Sequence, residues 1–187
     1  MVARNLWQSW GTGINPHALV FIDESGAKTN MTRLRGRAPR GVRVYDKTPC
    51  GHWCTTTMIS SIRLDGTTAC MTLDGATTTE VFQAYVASVL IPTLKPGDIV
   101  VLDNLSPHKN CETLRLIEQV GARVCFLPPY SPDLNPIEKM WSKVKEWLRA
   151  AKARTQEALW DAIANALAAV TAADAMGWFA SCGYNII

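Results

Sequence analysis

Two runs in this chain are apolar without interruption, Ala18-Leu19-Val20-Phe21-Ile22 and Ile99-Val100-Val101-Leu102, and a third, residues 122–127, is nearly so. A strand with one wet face alternates apolar and polar residues. These runs do not alternate, so each needs cover on both faces. That requirement selects a sheet flanked by helices. The first strand is predicted over residues 17–22, the second over 98–102 and the third over 122–127.

The remaining pattern fits that frame. Residues 53–63 and 67–73 are Thr- and Ile-rich, and Asp65-Gly66 between them predicts a hairpin. Thr77-Thr78-Thr79-Glu80 reads as a helix start, followed by apolar residues at helical spacing up to Pro92. Ser106-Pro107 opens a helix that ends at Gly121. Pro136 begins another, to about residue 152, with Ile137, Met140, Trp141, Val144, Trp147 and Leu148 as its apolar stripe. An alanine-rich helix follows over 156–171, with one more turn expected after Asp174. The fold class is therefore α/β, a mixed sheet of an antiparallel hairpin plus parallel strands, flanked by helices. Residues 1–16 read as a linker remnant and 17–187 as one domain with a basic insertion at 25–51.

With 187 residues, 48% of them hydrophobic, the chain can bury a core without disulfides or metal staples. The six cysteines are expected to be reduced, unpaired thiols. Cys50-Gly51-His52-Trp53-Cys54 supplies three ligand types at tight spacing, but no second pair lies nearby, as a structural zinc site would want. No run approaches the ~18 apolar residues of a membrane span, and the first residues lack the apolar centre of a signal peptide. A soluble, intracellular protein is expected.

Net charge is only +3, but it is unevenly spread. Lys28, Arg33, Arg35, Arg37, Arg40, Arg43 and Lys47 face a single opposing Asp46 within twenty residues, which leaves the rest of the chain slightly anionic. Such a segment suits a polyanion, nucleic acid first among them, or else is a solvated loop.

Asp23 and Asp103 each follow a buried strand, where α/β sheets gather their chemistry. Two carboxylates on a stiff platform suit Mg²⁺, and a third from a helix would let a site hold two ions for phosphoryl displacement. Glu138 is the candidate for the third. With Asn135 as N-cap and Pro136 first in the helix, Glu138 falls where a capping-box glutamate also belongs, so both roles stay open. Lys145 and Arg149 on the same helix, and His108-Lys109 after Asp103, are candidate DNA contacts. Glu24 should point to the face opposite Asp23.

Several segments together resemble one family: Phe21-Ile22-Asp23-Glu24-Ser25-Gly26, Arg35-Gly36-Arg37-Ala38-Pro39-Arg40-Gly41, Val101-Leu102-Asp103-Asn104 with His108-Lys109, and Pro128-Pro129-Tyr130-Ser131-Pro132-Asp133-Leu134-Asn135-Pro136-Ile137-Glu138. The chain from about residue 17 onward is similar to bacterial insertion-sequence transposases of the mariner-like superfamily, in the six-thirty group. The resemblance implies an RNase H-like fold and an Asp-Asp-Glu triad at Asp23, Asp103 and Glu138. It implies two Mg²⁺ or Mn²⁺ ions, cleavage of double-stranded DNA at transposon ends, and strand transfer into target DNA, typically at TA. It also implies a homodimer when active, with the insertion as a clamp between subunits, and a bacterial cytoplasmic, nucleoid-associated location. Relatives carry helix-turn-helix units ahead of this domain, whereas about sixteen residues precede the first strand here. A truncated copy, or the downstream frame of a frameshifted element with an upstream DNA-binding partner, is therefore expected. The rival expectations are a non-catalytic regulator that binds DNA or dimerises with a transposase, and a nuclease acting on RNA–DNA hybrid.

Overall fold

A computed structural model describes residues 2–186. Met1 and Ile187, the outer limits of the expected linker and domain, lie outside the described residues. In chain order the elements are α1 (Val2–Gly13), β1 (Leu19–Lys28), β2 (Thr55–Ile62), β3 (Thr68–Asp74), α2 (Thr79–Tyr85), β4 (Ile99–Leu102), α3 (Cys111–Gln119), β5 (Arg123–Phe126), α4 (Pro136–Ala151), α5 (Gln156–Ala168) and α6 (Ala172–Ser181).

The strands form one sheet in the order β3-β2-β1-β4-β5. β1, β2 and β3 pair antiparallel, while β1–β4 and β4–β5 are parallel. This is the mixed α/β sheet that the apolar runs demand. Because side chains alternate across a strand, Leu19 and Phe21 face one side with Met58, Ile62, Val101, Ile137, Trp141, Leu159, Ile163 and Phe179. Val20 and Ile22 face the other with Ile59, Phe82, Tyr85, Leu90, Val100 and Ile117. So α4, α5 and α6 cover one face, and α2 and α3 the other. Phe21 and Phe179 meet edge-on at 5.3 Å between ring centroids, a geometry that aromatic quadrupoles favour.

Several local expectations change. Residues 2–13, expected as a linker remnant, form a helix that belongs to the domain. Trp7 and Trp10 pack on the larger core cluster, and Trp7 Nε1 donates to the Tyr184 hydroxyl at 3.0 Å. β1 does not stop at Asp23 but runs to Lys28, because its antiparallel pairing continues to Lys28↔Thr55. Its parallel pairing with β4 ends at Phe21↔Val101. The irregular basic insertion is accordingly 29–54 rather than 25–51. Its base is tied where Cys54 N donates to Thr29 Oγ1 at 3.1 Å.

The helix expected from Ser106 is broken. Residues Ser106–Lys109 form a 3₁₀ turn, and Asn110 then caps α3 by accepting from the N–H groups of Glu112 and Thr113. A side-chain oxygen that satisfies two orphan donors is a strong restart signal. After Asp174 there is a full helix rather than one turn, begun by a reciprocal Thr171–Asp174 capping box. Gly66, at φ +83, makes the hairpin turn so close to the Thr171 backbone that a β-carbon would approach it to 2.8 Å. Trp141 is buried as expected, but Trp147 is 46% exposed and stands at the edge of the apolar stripe.

Candidate active site

Asp23, Asp103 and Glu138 come from β1, the end of β4 and the first turn of α4, and all three line one cavity of ≈ 440 Å³. Asn104, Leu105 and residues 127–132 complete most of its wall. Alternation on β1 is decisive. Asp23 shares the face of Phe21, toward α4, and so meets Glu138. Glu24 takes the opposite face, as expected.

Each carboxylate is held differently. Asp23 Oδ1 accepts the backbone N–H of Glu24 at 2.8 Å. Burial, and then the Glu138 charge, push the Asp23 carboxyl up to about 7. Asp103 Oδ1 accepts from Leu105 N at 2.9 Å and meets His108 Nδ1 at 2.7 Å. Burial alone would raise the Asp103 carboxyl, but the His108 and Leu105 donors hold it below its ordinary value. Glu138 is exposed at the start of α4. Asn135 stands at the N-cap yet makes no side-chain cap bond, so the capping box considered for Glu138 is not formed.

The approach to Glu138 is braced. Tyr184 donates its hydroxyl to the Leu134 carbonyl at 2.8 Å. Arg4 on α1 reaches Ser131 Oγ at 2.8 Å and pairs with Asp133 at 2.5 Å. Tyr130 stands fully exposed at the cavity lip with φ +53, a backbone region that costs a non-glycine residue energy and concentrates at functional sites.

The donor set suits a hard divalent cation. Every charged group lining the cavity is a carboxylate, and no Lys or Arg lines it. Asn135 Oδ1 is buried, without a partner, in the same wall. Hard oxygens of this kind favour Mg²⁺ or Mn²⁺. Among the described residues no three His, Cys, Asp or Glu side chains close tightly around a single point, so the carboxylates share a cavity rather than a finished cage.

The candidate DNA contacts divide. Lys28, Arg33, Arg35, Arg37, Arg40, Arg43 and Lys109 are exposed, and Lys145 and Arg149 are half-buried on α4. Arg33 and Arg35 come together with Ser142, Glu146 and Arg149 in one groove, which joins the insertion to α4. His108 is a correction. It is fully buried, with one ring nitrogen on Asp103 and the other on Glu24 at 2.8 Å, so it offers no surface to a strand. Burial by itself would lower the imidazole, but these two partners outweigh it and raise its pKa to about 9. The tie from Glu24 through His108 to Asp103 is nearly invisible in the sequence. The opposed faces of Asp23 and Glu24, and the His five residues after Asp103, were its only sequence signals.

Residues 18–160 match the family model described as DDE superfamily endonuclease. The chain belongs to the DDE superfamily endonucleases. Among solved structures, this DDE domain is similar to Mos1 transposase in a paired-end complex with the left transposon end (TM-score 0.77, 15% identity, 97% of this chain and 57% of that one). It is also similar to the mariner Mos1 paired-end complex with Mg (TM-score 0.56, 19% identity, 98% and 61%). The catalytic core domain of BIV integrase is a further likeness (TM-score 0.52, 16% identity, 82% of each chain). At these identities the likeness establishes the fold, an RNase H-like core of the transposase and integrase type. The DDE chain spans under two thirds of the Mos1 chains it matches. No curated protein matches it.

Proposed function

We propose that this DDE domain is the catalytic domain of a transposase that cleaves DNA at transposon ends and transfers the freed strand into target DNA, typically at TA. The observation that carries the reading is the convergence of Asp23, Asp103 and Glu138, from three separate elements, on one cavity without a basic residue in its wall. Asp23 and Asp103 would hold divalent cations on the strand platform, and Glu138 would complete a second site from α4. When bound, two Mg²⁺ or Mn²⁺ ions stabilise charge on the attacking and leaving oxygens of a phosphodiester displacement. Asp23, with its carboxyl raised to about 7, would have to be in its deprotonated form to hold a cation. The Leu105 N–H and His108 fix Asp103 Oδ1, and the carboxylate so oriented would be the ligand that this strand end offers. The exposed arginines of the insertion, with Arg149, would hold the phosphate backbone beside the cavity and supply sequence-independent affinity.

The resemblance to bacterial transposases of the six-thirty group supports a homodimer acting on nucleoid DNA in the cytoplasm as part of this proposal. Recognition of the ends would come from a helix-turn-helix domain or partner. The test is nicking of supercoiled plasmid DNA with Mn²⁺. Wild-type chain nicks, and folded Asp103→Asn does not. Equal nicking by the two removes the triad, and no Mn²⁺-dependent nicking by wild type removes the enzymatic reading.

A further inference from the structure

We propose that Glu24 and His108 are positioning residues that set the Asp103 carboxylate for ion binding from the opposite face of the sheet, which rests on the reading of Asp103 as a metal ligand. The placement follows from the chain. Glu24 extends from β1 toward α2 and α3, away from the cavity. β4 ends at Leu102, and the 3₁₀ turn beyond it turns His108 back beneath that end. The ring then spans the sheet, with Nε2 on Glu24 Oε1 at 2.8 Å and Nδ1 on Asp103 Oδ1 at 2.7 Å. Phe82 lies against the imidazole at 4.3 Å between centroids, which restricts its rotation. The Glu24 backbone N–H meanwhile donates to Asp23 Oδ1. One residue is thus tied to both aspartates, to Asp23 through its main chain and to Asp103 through its side chain and His108.

Stability alone is a poor account of this arrangement. Glu24 Oε2 is buried with no partner, and a buried carboxylate left half-satisfied opposes folding. Groups that orient a ligand carboxylate from behind typically change metal affinity by ~10–100-fold when removed.

The experiment is calorimetric Mn²⁺ titration of the full chain and of three variants. Glu24→Asp keeps the charge but withdraws the carboxylate from Nε2. Glu24→Gln keeps the reach and an acceptor oxygen. Asp103→Asn tests the ligand itself. Positioning predicts Mn²⁺ binding at least tenfold weaker in Glu24→Asp, within threefold of wild type in Glu24→Gln, and lost in Asp103→Asn. A purely structural role lowers the melting temperature of Glu24→Asp and leaves its Mn²⁺ affinity unchanged, which overturns the proposal. The reverse order, with Glu24→Gln the weaker binder, also overturns it, because charge rather than reach would then matter. Full Mn²⁺ binding by Asp103→Asn, or none by wild type, removes the ligand reading and this proposal with it. If Glu24→Asp does not fold, His108→Asn, whose amide nitrogen takes the place of Nδ1 toward Asp103 but does not reach Glu24, is held to the same tenfold threshold.

Discussion

The two concentrations of charge in this domain are held in opposite ways. Around the cavity, Asp23 and Asp103 stand on or beside strands, and Asp103 Oδ1 receives two donors. In the insertion of residues 29–54 there is no regular structure, and its arginines stand in solvent. Its few anchors include Lys152 on Asp46 at 2.6 Å and Arg154 on the Thr29 and Met31 carbonyls. Fixed charge is suited to a reaction that needs atoms in place. Loosely held charge is suited to a polyanion whose sequence is not read, since attraction to phosphate tolerates many geometries. One domain combines the two by keeping precision on the sheet and attraction on the loop.

The comparison breaks most sharply at Asp103. Folded Asp103→Asn should lose DNA nicking by on the order of 10³-fold or more, a barrier rise of ~4 kcal/mol, while binding to duplex DNA at low salt stays close to wild type. A plasmid assay beside a fluorescence-anisotropy titration checks both halves. If DNA binding collapses as well, the two regions are not separable.

The converse change is the triple Arg33→Ala, Arg35→Ala, Arg37→Ala. If the three arginines contact phosphate as proposed, the slope of log K against log salt should become shallower by up to ~2.7, with melting temperature and Mn²⁺ affinity unchanged. An unaltered slope would show that these side chains are merely solvated.

A pH test sharpens the fixed side. The folded Asp23 carboxyl sits at about 7 against an ordinary 3.8. A carboxyl raised by folding contributes stability that is present in acid and lost as pH rises to the folded value. Without divalent ions, the melting temperature of wild type relative to Asp23→Asn should therefore fall between about pH 4 and 7. Saturating Mn²⁺ should reverse that trend and release protons into a weakly buffered solution near pH 7. A difference that stays flat with pH would mean that Asp23 is neither desolvated by burial nor crowded by Glu138. The smallest effect belongs to the loop tie. Lys152→Ala should leave the chemical-denaturation midpoint almost unchanged, as the loss of an exposed pair does. A larger shift would mean that the insertion is more firmly seated than its contacts imply.

Much of this molecule was legible before its coordinates. Apolar runs without alternation demanded cover on both faces, and the Asp65-Gly66 turn fixed the hairpin. The candidate carboxylates could be named because two follow such runs and the third lies just inside a proline-marked helix start. What escaped was set by pairing at a distance. No local pattern shows that β1 keeps one neighbour for eight residues and the other for three, so the apolar run alone predicts a strand that stops short at Asp23. Nor does helical periodicity separate Trp141 from Trp147, since both fall on the stripe and only packing decides which is covered. A continuous helix from Ser106 would put His108 at the surface; the break at Asn110 puts it inside. Residues 2–13 read as a linker because two glycines weaken the helical signal, while Trp7 finds its hydrogen-bond partner, Tyr184, at the far end of the chain.

The unequal lengths of pairing along β1 have a consequence for how the domain can change over time. Where β4 leaves while β2 continues, the sheet divides like a forked branch, and the cavity opens beside that fork. Its mouth is therefore set by where backbones part rather than by the bulk of any one side chain. Substitutions in the wall can retune what enters without closing the opening, and segments beyond the fork can lengthen or shorten while the eight-residue ladder behind them stays in register. Such a site can keep its chemistry and exchange its partners.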